Sequence, residues 1–292
     1  MKEYQLGLYE KSMPNDISWG EKVHLAKEAG FDYIEISIDE TEEKLARLDS
    51  SREERFGIKK LLYDNDMPVN SMCLSAHRRY PLGSRDENIR RKSLEIMEKA
   101  VGFAADLGIR IIQLAGYDVY YEESDQDTRS MFLENLKKAC SMAACKGVLL
   151  GFETMETPFM DTVEKAMHYV NIINSPYLCI YPDIGNLTNA SLKYRISVNE
   201  DLMQGKGRII AAHLKETVPG RYREVPFGTG HTDYAAQIAL LRSMNIKLFV
   251  GEFWYIGSKN LKEDLITANQ FLRRHLDQVF QVPEHVNHTE AG

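Results

Sequence analysis

Eight short runs rich in aliphatic, β-branched and aromatic residues recur along this chain, and each gives way to a longer stretch with helical spacing. The runs predict strands at Gln5–Tyr9, Tyr33–Ile38, Val69–Leu74, Ile109–Leu114, Val148–Phe152, Leu178–Tyr181, Ile209–Leu214 and Leu248–Gly251. Between and after them, helices are expected over Ser18–Ala29, Ser51–Asn65, Asp86–Leu107, Asp127–Cys145, Thr162–Ile173, Val198–Gln204, Tyr234–Met244 and Leu261–Leu276. Ser51 with Glu54 has capping-box spacing, and Gly30, Gly108 and Gly147 follow their helices as stops. Strict alternation demands a parallel sheet, because parallel neighbours can only be joined by a crossover. Eight such units in 292 residues fit a closed (β/α)8 TIM barrel. An open doubly wound sheet should show a glycine fingerprint after its first strand, and Tyr9-Glu10-Lys11-Ser12-Met13-Pro14 has none. Residues 1–282 read as a single barrel domain, with 283–292 a polar tail.

Composition removes several classes of function. With 43% hydrophobic and 27% charged residues, the chain is of ordinary globular type. A formal net charge of −7 repels polyanions and argues against nucleic-acid partners. No apolar run approaches the roughly 20 residues that span a bilayer, so no membrane role is expected. The N-terminus lacks the features of a secretory leader. Cys73, Cys140, Cys145 and Cys179 form no C-x-x-C pair and read as free thiols of a reducing compartment, so a cytoplasmic protein is expected.

In an eight-stranded barrel, chemistry sits at the C-terminal ends of the strands. The fifth strand ends at Gly151-Phe152-Glu153 and the sixth at Tyr181-Pro182-Asp183; the seventh runs to His213 and the eighth to Glu252. Any one of these could be a cap, a salt-bridge partner or a structural histidine. Together, three carboxylates and an imidazole at one height repel unless a cation lies among them. The mixed oxygen and nitrogen set suits one divalent ion, Zn²⁺ or Mn²⁺ ahead of Co²⁺ or Mg²⁺.

The strand-end motifs resemble those of the xylose-isomerase-like barrels. Longer runs are more specific: LGLYEK (6–11), SIDET (37–41), SMCLSAHRRYPLGS (71–84), IQLAGYDVYYEE (112–123), YPDIGNL (181–187) and VPFGTG (225–230). These resemble the L-ribulose-5-phosphate 3-epimerases, also called L-xylulose-5-phosphate 3-epimerases, of bacterial L-ascorbate catabolism. The likeness runs from the first strand to the eighth. It implies metal ligands at Glu153, Asp183, His213 and Glu252, a sugar-phosphate substrate and a homodimer. Glu216 and His231 depart from the family pattern, which has Asp and an aliphatic residue there.

Inverting C3 beside a C2 ketone needs a stabilised enediolate and a base on each face, roles that fall to Glu153 and Glu252. Asn186 is expected to bind a substrate oxygen, and His77, Lys215 and Arg223 to bind substrate, with phosphate sought among the basic loop residues, Arg78 and Arg79 included. Tyr9, Tyr117, Phe159 and Trp254 are candidates for the cavity wall. Three other readings compete with this one: an aldose–ketose isomerase of hexulose-6-phosphate isomerase type, a DNA-repair endonuclease, and a non-catalytic sugar-binding barrel. The endonuclease would need many more strand-end histidines, and the intact glutamate pair argues against the binding-only barrel.

Overall fold

The computed structural model describes residues 3–280, so the expected tail at 283–292 lies outside the described residues. Strands β1 (Gln5–Tyr9), β2 (Tyr33–Ile38), β3 (Val69–Leu74), β4 (Ile111–Ala115), β5 (Leu149–Glu153), β6 (Leu178–Ile180), β7 (Ala212–Leu214) and β8 (Leu248–Gly251) pair in parallel throughout. Their order is β6-β5-β4-β3-β2-β1-β8-β7. The ring closes at the β6–β7 seam through parallel bridges of Ile180 with Ile209 and of Asp183 with His213. β7 is therefore shorter than the expected 209–214, since Ile209 contributes only a bridge.

The helices are α1 (Trp19–Glu28), α2 (Glu42–Ala46), α3 (Arg52–Asp64), α4 (Glu87–Leu107), α5 (Gln126–Lys146), α6 (Val163–Ile173), α7 (Ile184–Tyr194), α8 (Val198–Gln204), α9 (Tyr234–Ser243) and α10 (Leu261–Phe280). Full capping boxes form at Ser18–Glu21 and Ser51–Glu54, satisfying amides that the first turn leaves open. Gly108 and Gly147 end α4 and α5 in the left-handed conformation, at φ 82° and 68°, which glycine adopts without strain. Two helices go beyond the eight expected. α2 is a single short turn capped by Thr41, and α7 starts directly after Asp183. Gly185, Asn186, Thr188 and Asn189 are poor helix formers, so propensity hides α7. Packing makes it a helix: every residue from Ile184 to Ala190 is buried.

Period-two alternation divides the strands between two cores. Leu6, Leu8, Ile34, Ile36, Ile112, Leu114, Leu150 and Phe152 join the apolar layer shared with the helices. Tyr9, Tyr33, Cys73, Ile111, Tyr181, Ala211 and Val250 form a second cluster inside the ring. Space there is tight: a Cβ on Gly7 would stand 2.5 Å from Tyr33 Cζ. The inward register also carries polar groups, and these define the site.

Candidate metal centre

Glu153 ends β5, Asp183 caps α7, His213 lies in β7 and Glu252 follows β8. All four are buried, and one donor atom from each lies within 4.8 Å of the others. His213 Nδ1 is 3.2 Å from Glu153 Oε1, 3.2 Å from Glu252 Oε2 and 4.0 Å from Asp183 Oδ2. Four strand ends far apart in sequence thus deliver their donors to one point.

The surroundings fix these side chains. The Asp183 amide donates to Thr154 Oγ1 at 3.0 Å, and Asp183 Oδ1 accepts from the Asn186 amide at 2.9 Å. The Gln113 side-chain amide donates to Glu153 Oε2. Lys215 Nζ lies 2.7 Å from Asp183 Oδ2 and 3.1 Å from Glu252 Oε2, so these two carboxylates already share positive charge. The donor set fits a divalent ion. Oxygen and nitrogen ligands at about 2.0–2.2 Å from a metal stand roughly 3–4 Å from one another, close to the spacing seen.

Electrostatics divide the two glutamates. Burial, then the charge of Glu252, pushes the Glu153 carboxyl above its ordinary range. Burial opposes ionisation of Glu252 as well, but Lys215 and His213 outweigh it and hold that carboxyl well below the usual range. Burial drives Asp183 well upward against the pull of Lys215. At His213, burial disfavours the charged ring, and the carboxylates of Glu35 and Glu252 overcome it and raise the pKa well above normal.

Above the cluster opens a narrow cleft whose lining includes Tyr9, Arg78, Asn186, Lys215, Arg223 and Trp254. Asn186 donates to the Thr154 carbonyl at 2.8 Å, while its buried Oδ1 has no partner among the described residues. Trp254 has two cations near its ring, Lys215 Nζ and the Arg223 guanidinium carbon, each 5.5 Å from its centroid. Arg223 approaches Glu156 at 3.5 Å, and Glu156 also accepts from Tyr117 at 3.1 Å.

Of the expected substrate contacts, Asn186, Lys215 and Arg223 line this cleft and His77 does not. The short 3-10 turn Ser75–Arg78 carries His77 into the wall, where Nε2 meets the Ser93 carbonyl of α4 at 3.3 Å. Burial lowers its pKa to about 4. Arg79 points outward to Glu42 at 2.7 Å, and Phe159 packs against Phe132 with centroids 5.1 Å apart. His231 pairs with Thr217 at 3.0 Å, and Glu216 accepts from the amides of Gly228 and Thr232, tying that loop down. Sequence reasoning passed over Gln113, Glu156 and Glu35. Gln113 and Glu35 have a signal in retrospect, a polar residue within a run otherwise fit for burial, whereas Glu156 lies in the loop after β5 and has none.

The xylose isomerase-like TIM barrel family model matches residues 23–275. The chain is 42% identical over 273 residues to L-ribulose-5-phosphate 3-epimerase UlaE of Salmonella paratyphi C (strain RKS4594), covering 93% of this chain and 95% of the relative. It is 47% identical over 233 residues to UlaE of Escherichia coli O139:H28 (strain E24377A / ETEC), covering 80% and 81%. Among solved structures, an L-ribulose 3-epimerase superposes with a TM-score of 0.77 at 16% identity, covering 99% of this chain and 100% of that one. D-allulose 3-epimerase from Methylomonas sp., in complex with D-allulose, gives 0.76 at 19% identity, covering 94% and 98%. These two extend the agreement in fold. With its eight parallel strands, its matched family model and its full-length relatives, the chain belongs to the L-ribulose-5-phosphate 3-epimerase family of isomerases, within the xylose isomerase-like TIM barrels.

Proposed function

We propose that this protein is a metal-dependent 3-epimerase that interconverts L-ribulose 5-phosphate and L-xylulose 5-phosphate. The observation that carries the reading is the approach of Glu153, Asp183, His213 and Glu252 donor atoms to within 4.8 Å of one another, beneath the cleft. The names of the full-length relatives support the choice of substrate. A divalent ion held by these four residues supplies Lewis-acid stabilisation for negative charge developing on the substrate oxygens.

The chain's own groups do the rest. Glu153 and Glu252, from β5 and β8, each serve one face of the C3 centre; one takes the proton and the other returns one. Gln113 steadies Glu153, and Lys215 steadies Glu252 and Asp183. Asp183 and His213 are ligands without a proton to move. Asn186 Oδ1 accepts from a sugar hydroxyl, and Arg223 meets the phosphate at the mouth. Trp254 and Tyr9, whose rings meet edge to face at 6.0 Å, shield the reacting carbon from water. Zn²⁺ or Mn²⁺ is the ion we favour for this donor set. The reading extends to one domain over residues 1–282, a cytoplasmic setting and a homodimer; light scattering tests the last.

The deciding experiment supplies the metal-reconstituted protein with L-ribulose 5-phosphate and follows the product by NMR. A ketose inverted at C3 is expected. An aldehyde product would replace the epimerase reading by aldose–ketose isomerisation, and binding without turnover would leave a sugar-binding barrel.

A further inference from the structure

We infer that Glu35 is a positioning residue that holds His213 with Nδ1 directed at the metal. This rests on the reading of Glu153, Asp183, His213 and Glu252 as ligands. Glu35 lies in the middle of β2, fully buried, and its Oε1 is 2.6 Å from His213 Nε2. Its other oxygen accepts from Ser71 Oγ at 2.6 Å and from the Tyr181 hydroxyl at 3.0 Å. The carboxylate is therefore held from β3 and from the end of β6 while it grips a ring carried by β7. Tyr181 also closes on the imidazole edge to face, with centroids 4.9 Å apart.

The chemistry gives this arrangement a direction. An imidazole can present a lone pair to a cation from one nitrogen only if the other keeps the proton. A carboxylate at Nε2 keeps the proton there, leaves the Nδ1 lone pair for the ion and makes that nitrogen a better donor. Among the described residues no other group does this, since Nδ1 faces the carboxylates of Glu153, Asp183 and Glu252. A purely structural account is weak. Among the described residues, no lysine or arginine is paired with Glu35, and a buried carboxylate whose only countercharge is an imidazole is a poor source of stability.

Metal affinity, rather than turnover, is the measurement that tests the role. Mn²⁺ binding is titrated calorimetrically in the wild type, Glu35→Gln and His213→Gln, with folding followed by circular dichroism and thermal melting. Glutamine keeps an oxygen for Nε2–H but loses the charge, so affinity is expected to fall about 10- to 100-fold while the fold persists. Tyr181→Phe, which removes one donor to Glu35, is expected to weaken binding several-fold and serves if Glu35→Gln does not fold. Should the wild type bind Mn²⁺ and Glu35→Gln (or Tyr181→Phe in its place) bind within twofold of it, Glu35 is only a core residue. Failure of the wild type to bind, or full affinity in His213→Gln, would instead strike the ligand assignment itself.

Discussion

Asp183 and His213 face one another across the β6–β7 seam, where the His213 amide donates to the Pro182 carbonyl at 2.9 Å. The junction that closes the ring and the proposed ligand pair are one place. An ion bound there ties the seam and is linked to global stability.

Thermal melts should therefore respond to metal. At one hundred times its Kd, an ion that binds only the folded chain stabilises by about 2.7 kcal/mol. The melting temperature is expected to rise with Mn²⁺ or Zn²⁺, fall with a chelator, and lose its response in His213→Gln. A wild-type melt indifferent to all of these divalent ions would contradict the site.

Glu153→Gln and Glu252→Gln should each lower turnover at least roughly a hundredfold, the usual scale for a lost acid or base. Metal content measured alongside separates loss of the ion from loss of the proton carrier. Near-normal turnover in either variant removes that residue from the mechanism.

Arg223 should read the phosphate. Arg223→Ala is expected to raise KM for L-ribulose 5-phosphate about tenfold or more, the scale of one charge-assisted hydrogen bond. KM for the unphosphorylated ketose should hardly move. Equal effects on both sugars would assign Arg223 to the cavity wall alone.

Acid stability should depend on Glu10. This fully buried carboxylate follows β1 and is met by Lys22 and Lys44, both at 2.7 Å, and by Arg47 at 2.8 Å. Burial opposes its charge, but Arg47, Lys44 and Lys22 together bring its pKa down from 4.5 to about 2. A depressed carboxyl contributes stability above its unfolded-state value and loses it as pH falls towards the folded-state value. That contribution is about 3 kcal/mol, disappearing between about pH 4.5 and 2. Glu10→Gln should be destabilised by about 3–5 kcal/mol at pH 7, since three cations lose their counterion. In urea titrations the gap to wild type should narrow towards pH 3.5; a constant gap would show that the charge is not its source.

Inside the ring, Gly7→Ala should cost about 1–3 kcal/mol through overpacking. Tyr33 has little room to yield, being buried and tied by its hydroxyl to the Phe249 carbonyl at 2.9 Å. Denaturant unfolding measures the loss, and a neutral result would mean that the ring relocates freely.

The four residues that cluster could be picked out because Glu153, Asp183 and Glu252 close apolar runs, boundaries that composition marks, and His213 is the polar residue within one. Glu35 was not, since it lies inside YIEISI, where only the alternation with Ile34 and Ile36 hints that it faces inward. His77 misled for a related reason. Proximity to a strand end says nothing about direction, and the turn over Ser75–Arg78 aims its ring at Ser93 instead of the cavity. α7 stayed hidden because burial, rather than its own residues' preferences, makes it helical. Strand starts and ends drifted by one to three residues where pairing, which sequence does not display, decides them.

The four donors come from consecutive neighbours, β5 to β8, so Glu252 can join the other three only after β8 has docked on β7 and the β6–β7 seam has closed. Contacts of such long sequence separation form late and slowly. Until then the chain holds an incomplete set of donors, so an ion that needed all four would report the closure of this half of the ring.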